Sequence, residues 1–172
     1  ARTCEFWNRD TSVTQDQLAP AAAGESRNLR TRIIAALVLA PAAIGIAWAG
    51  GPLWIGLVTL AAIGMYVEWL TIVGAAREKQ IVAAGIAALI LSGLSLALGY
   101  GAFSLVVLVI GAATVAAVSR RLRLWSVAGF CYAAAAAFAS AQVRLDEAYG
   151  FVALIFVMLV VWAADIGGYF AG

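Results

Sequence analysis

The stretch 150–172 reads GFVALIFVMLVVWAADIGGYFAG. From 150 to 164 it carries no charge and no hydrogen-bonding side chain except the indole of Trp162. Its length matches the ~20 residues that a helix needs to cross a ~30 Å hydrocarbon core. One carboxylate, Asp165, stands inside the run near its end. An ionised carboxylate at such a depth costs about 2.5–3.5 kcal/mol on insertion scales, so residues of this kind face a polar cavity or hold a cation. The fold follows from reading this run as a membrane span, because the rest of the chain repeats the pattern.

Working outward, the composition agrees. Of the 172 residues, 65% are hydrophobic and 12% charged, whereas a soluble domain carries about 25% charged residues. The chain is therefore expected to be an integral membrane protein. It has no His, which removes imidazole catalysis and His metal ligands. Cys4 lies in a polar stretch and Cys131 in an apolar one. That placement suggests neither a disulfide nor a zinc site, and Cys131 reads as a small packing residue.

Residues 1–26 are polar and irregular, with no apolar core before a cleavage site. They are expected to be a disordered tail or sequence foreign to the membrane domain. The domain itself, 27–172, divides into apolar segments at about 33–49, 53–73, 81–98, 102–118, 124–141 and 150–171. Pro41 is expected to kink the first. Gly50-Gly51-Pro52 and Gly99-Tyr100-Gly101 read as turns. The expected fold is all-α: a polytopic bundle of about six transmembrane helices. With the N-terminal side in the cytoplasm, Arg27, Arg30, Arg32, Arg77, Lys79, Arg120, Arg121 and Arg123 are all inside. Only Arg144 is outside, beside Asp146 and Glu147. Basic residues favour the cytoplasmic side, so both termini are expected there. The basic clusters also suit anionic lipid headgroups, at about 1 kcal/mol per residue. Small residues four apart, Ala133 with Ala137 and Gly168 with Gly172, suit close helix packing, within the chain or in a homodimer.

Two carboxylates fall within spans, Glu68 and Asp165. Counted from the outer ends of their segments, they lie roughly 24 and 22 Å along the helix at 1.5 Å per residue. Both belong to the cytoplasmic third of the bilayer and could face one polar cavity. Glu68 also has a structural reading: Trp69 beside it is an interfacial anchor type, and Arg77 or Arg123 could pair with it. For Asp165 the neighbours point to chemistry. Gly167 and Gly168 let the backbone bend or approach a ligand, and Tyr169 adds a polar tip near the water boundary. A hard oxygen ligand there suits Mg2+, which one or two carboxylates usually hold together with substrate phosphates.

These stretches resemble the integral-membrane phosphatidate cytidylyltransferases, also called CDP-diacylglycerol synthases. The opening Asn28-Leu29-Arg30-Thr31-Arg32-Ile33-Ile34-Ala35-Ala36-Leu37-Val38-Leu39 is similar to the family's opening. Tyr66-Val67-Glu68-Trp69 resembles its Glu-Trp pair. The most specific likeness is Trp162-Ala163-Ala164-Asp165-Ile166-Gly167-Gly168-Tyr169-Phe170-Ala171-Gly172, which resembles its Trp-x-x-Asp-x-Gly-[Ala/Gly]-Tyr-x-x-Gly motif. The resemblance implies transfer of CMP from CTP to phosphatidate, giving CDP-diacylglycerol and pyrophosphate with Mg2+, at a bacterial inner membrane. It assigns Asp165 a catalytic, metal or substrate-phosphate role and Trp162, Gly168 and Tyr169 a substrate-binding one. Glu68 becomes a second polar site residue without assigned chemistry, and no nucleic acid is implied.

The family continues past this Gly with a basic loop and further spans, so the chain resembles the N-terminal half of such an enzyme. It is expected to be inactive alone. Two other readings remain open from the residues. One is a small transporter or channel-like bundle using Glu68 and Asp165 as an ion relay. The other is a non-catalytic scaffold packing through its small-residue faces.

Overall fold

The computed structural model describes residues 37–146 and 148–171. The tail 1–26, Arg27, Arg30, Arg32, most of the opening motif, Glu147 and Gly172 lie outside the described residues. The described chain is helical, with no strand among these residues. Its helices are α1 (Leu37–Ala49), α2 (Gly51–Ile72), α3 (Lys79–Ala97), α4 (Gly101–Val118), α5 (Arg123–Leu145) and α6 (Gly150–Ala171). Helices α2 to α6 are each long and apolar enough to span a membrane. The chain divides at 43/44 into two units. Of residues 1–43, only the start of α1 is described. It stays helical through Pro41.

Within 44–172, several helix ends have a reason in the sequence. Pro52 occupies the first turn of α2, where its missing N–H is no loss. Gly50, Gly51, Gly74 and Gly99 have φ between 55 and 85°, a conformation that only glycine adopts readily. At Gly99 the Tyr100 N–H donates to Ser95 O and the Gly99 N–H to Leu96 O. That pair of bonds closes α3 as a Schellman motif.

Two charges around the α5–α6 junction, Arg144 in the last turn of α5 and Asp146 just after it, have local work. The Asp146 carboxylate accepts the N–H groups of Ala148 and Tyr149 at 3.0 and 2.8 Å and so caps the entry to α6. Arg144 reaches back to α1. Its Nε donates to Ala47 O and its Nη2 to Trp48 O. Those carbonyls belong to the last turn of α1, where a helix has no N–H donors of its own to offer them. This contact explains why α5 runs to Leu145, beyond the expected end at 141.

The core is formed by α2, α3, α4 and α5. Tyr66, Leu70, Ile81, Val115, Phe130, Ala133 and Ala134 are buried in it. Gly85 leaves room for the Tyr66 ring, since a Cβ there would sit 2.2 Å from its Cε1. The Tyr66 hydroxyl donates to Ile81 O at 3.0 Å, and Phe130 meets the ring edge-to-face at 5.8 Å. Ala133 and Ala137 both pack in this core, so this small-residue pair serves close packing within the chain. Cys131 does not: it is exposed, on the face of a groove between α4 and α5. Its helical position points it outward, since the buried neighbours are Phe130, Ala133 and Ala134.

Candidate functional site

Among the described residues, helix α6 is anchored only at its beginning. Gly150 fits against the α5 end, where a Cβ would lie 2.4 Å from Val143 O. Leu154 is buried with Trp54 and Ala47, and Phe151 packs beside them. Beyond Met158 the packing stops, and every residue from 159 to 171 is exposed. Asp165 lies on this bare half. Trp162, Asp165, Ile166 and Tyr169 share one helical face by their spacing of three and four. Trp162 is 39% exposed and Tyr169 85%. The helix continues through Gly167 and Gly168 without a positive φ, so the two glycines do not bend it here. A Cβ on either would meet nothing within 4 Å. They leave the backbone open to close approach.

Glu68 lies one turn from the end of α2 and is also exposed. Its neighbours take the structural roles. Tyr66 is the core residue described above. Trp69 packs toward α5: its Nε1–H donates to Trp125 O at 2.9 Å, and its ring covers Gly129. The two indoles lie 6.4 Å apart. Thus the Glu-Trp pair marks the place where α2 is tied to the start of α5.

Neither carboxylate lines any of three cavities between the described helices. These are apolar: a groove of about 360 Å³ between α2 and α3, one of about 450 Å³ between α4 and α5, and a small interior space. The polar groups inside the bundle satisfy one another. Ser92 and Ser104 share a hydrogen bond of 2.7 Å between α3 and α4. Ser119 donates to Ser126 at 3.2 Å across the α4–α5 turn. Sequence reading missed both serine pairs; Ser92 and Ser104 in apolar runs, and Ser119 and Ser126 either side of the basic turn, were the available signal. No buried side-chain polar atom lacks a partner among the described residues. They also contain no group of three His, Cys, Asp or Glu side chains able to hold a metal ion. Among them the exposed Asp165 could supply one carboxylate to a Mg2+ ion, not a whole ligand set.

The bare face of α6 thus combines an intramembrane acid, two open glycines and two aromatic side chains, and it falls within a recognised match. Residues 30–172 match the Cytidylyltransferase family. The chain belongs to that family. It is 31% identical over 147 residues to phosphatidate cytidylyltransferases of Brucella suis biovar 1 and Brucella melitensis biotype 1. The same identity and span hold for that of Brucella abortus biovar 1. Each match covers 84% of this chain and 54% of the relative. The chain therefore spans about half the length of the curated relatives it matches. No solved structure matches it. Family membership and five apolar spanning helices make this a multi-pass integral membrane protein.

Proposed function

We propose that this chain supplies the N-terminal membrane domain of a phosphatidate cytidylyltransferase. A phosphate oxygen of phosphatidate would attack the α-phosphorus of CTP. The new P–O bond forms as the α–β anhydride bond breaks, and pyrophosphate leaves. The observation that carries the reading is Asp165: an acid within a spanning helix, in the motif of this chain that most resembles the family, on a face left open.

The chain's own contribution is positioning. Asp165 repels a phosphate directly, so it serves one only through a cation. Mg2+ takes one or two carboxylates with substrate phosphates, and Asp165 would be one of them. The described residues offer no complete set, so further ligands have to come from elsewhere. Trp162 and Tyr169 present amphipathic rings on the same face. Gly168 allows a ligand to approach the backbone. Glu68 is the second polar group proposed for the site. The basic turn Arg120-Arg121-Leu122-Arg123 favours a cytoplasmic placement near anionic lipid, at a bacterial inner membrane, with both termini cytoplasmic. A homodimer and a foreign or disordered stretch 1–26 belong to the same proposal.

The test is incorporation of labelled cytidine from CTP into organic-soluble lipid, with phosphatidate and Mg2+ present. The enzyme would be this chain joined after Gly172 to the part of the Brucella suis relative that the match leaves out. Turnover that Asp165→Asn abolishes supports the reading. Turnover unchanged by Asp165→Asn refutes the role of that acid.

A further inference from the structure

Arg144 stands where three helices meet. From the last turn of α5 its guanidinium donates through Nε to Ala47 O and through Nη2 to Trp48 O, at the end of α1. A cation is favoured there, because the last carbonyls of a helix carry its negative pole. The planar fork of Arg suits two neighbouring acceptors, which a single ammonium does not. The same guanidinium lies 6.0 Å from the ring centroid of Phe151, in the first turn of α6. The backbone of Arg144 also touches α6: a Cβ on Gly150 would meet Val143 O and, at 3.1 Å, Arg144 O. Ala47 links these contacts. Its carbonyl holds the guanidinium, while its side chain is fully buried in one cluster with Trp54 of α2 and Leu154 of α6. Trp54 in turn donates from Nε1 to Ser140 O of α5 at 3.1 Å. Arg144 therefore holds the end of α1 against the first turns of α6.

Among the described residues, α6 has no other anchor. Its buried positions are Gly150 and Leu154, and residues 159–171 are all exposed. A helix held at one end is aimed by that end. Asp165 lies roughly 16 Å beyond Leu154 at 1.5 Å per residue. A change in tilt of about 10°, small against the ~0–40° range of membrane helices, moves the acid by about 3 Å. A misplacement of about 1 Å can lower a rate roughly 100-fold. A contact at the far end of the span is thus able to govern chemistry at Asp165.

We propose that Arg144 is a positioning residue. By clamping the end of α1 against the first turns of α6, it sets the direction of α6 and with it the place of Asp165. The consequence for turnover rests on the role proposed above for Asp165; the geometric claim stands apart from it.

A distance measured between two nitroxide labels by pulsed electron resonance tests the proposal. The labels go on Ile166→Cys and Gln80→Cys, in a cysteine-free version of the joined enzyme described above. Ile166 follows Asp165, and Gln80 is exposed in the first turn of α3. Arg144→Ala should shift the distance, or widen its spread, by about 3 Å, and lower turnover per folded enzyme by at least about tenfold. Gly85→Ala overpacks the core against Tyr66 and touches nothing of α6. It is the control for mere loss of stability and should leave the distance unchanged. Arg144→Lys keeps the charge and loses the fork, so it should give a smaller shift and serves where Arg144→Ala does not fold. Where the joined enzyme does not fold, the same labels in this chain alone are read in the same way. An unchanged distance in both Arg144 variants, an equal shift from Gly85→Ala, or a shift with undiminished turnover overturns the proposal. A shift in a parent that performs no cytidylylation keeps the anchor and removes the proposed function. Cytidylylation by the parent with no shift does the reverse.

Discussion

Removing the Arg144 side chain should loosen the end of the bundle where α1 meets α5, and Gly50 should report it. In the structure the guanidinium donates to two carbonyls at the end of α1, Ala47 O and Trp48 O. It also lies 6.0 Å from the Phe151 ring centroid. Hydrogen bonds from a charged donor contribute about 1.5–3 kcal/mol each, and an exposed cation on an aromatic face about 0.5–1 kcal/mol. Partial exposure of the pair reduces the first figure, so Arg144→Ala should cost about 2–4 kcal/mol in total. Gly50 lies directly under the same group. A Cβ there would stand 2.4 Å from Nη2, and φ is +64°. Gly50→Ala should therefore pay twice, about 1–2 kcal/mol for the left-handed backbone and a further amount for displacing the guanidinium. In the Arg144→Ala background only the backbone cost remains. The double variant should thus be less destabilised than the sum of the singles by about 1–2 kcal/mol. Denaturant unfolding in detergent, followed by Trp fluorescence, measures all four proteins. Strict additivity, or an Arg144→Ala variant within about 0.5 kcal/mol of the parent, would refute the clamp.

Gly85→Ala should cost about 1–3 kcal/mol by overpacking, because its Cβ would overlap the Tyr66 ring. Gly64→Ala, with nothing within 4 Å, should be neutral or stabilise by up to about 1 kcal/mol; the same unfolding assay compares them. Tyr66→Phe keeps the edge-to-face contact with Phe130 and removes the donor to Ile81 O, for an expected loss of about 0.5–1.5 kcal/mol. Asp165→Asn should leave unfolding unchanged within about 0.5 kcal/mol, since the side chain is exposed, while abolishing cytidine incorporation in the full-length chain. A large stability change in that variant would reassign Asp165 from chemistry to structure.

The spans were legible because bilayer thickness fixes their length and water fixes their ends. Segments 53–73, 81–98, 102–118 and 150–171 fall within two residues of the helices at each end. The exception, α5, shows the limit of that reading. Arg144 looked like a loop residue beside Asp146 and Glu147, yet the helix continues because Arg144 finds carbonyls on α1. Cys131 and Trp69 show the same limit. In a chain apolar almost everywhere, hydropathy cannot say which face of a helix turns inward. Small residues and their neighbours decide that, as when Gly85 admits Tyr66 and Gly129 admits Trp69.

The sequence by itself determined the membrane class, the turns and the motif around Asp165, because each depends on local composition and short spacing. The tertiary structure alone decided that Arg144 is a clamp and that Ser92 pairs with Ser104 and Ser119 with Ser126. It alone left the second half of α6 bare. Those features depend on which helices meet, and in a uniformly apolar chain only the packing of side chains sets that.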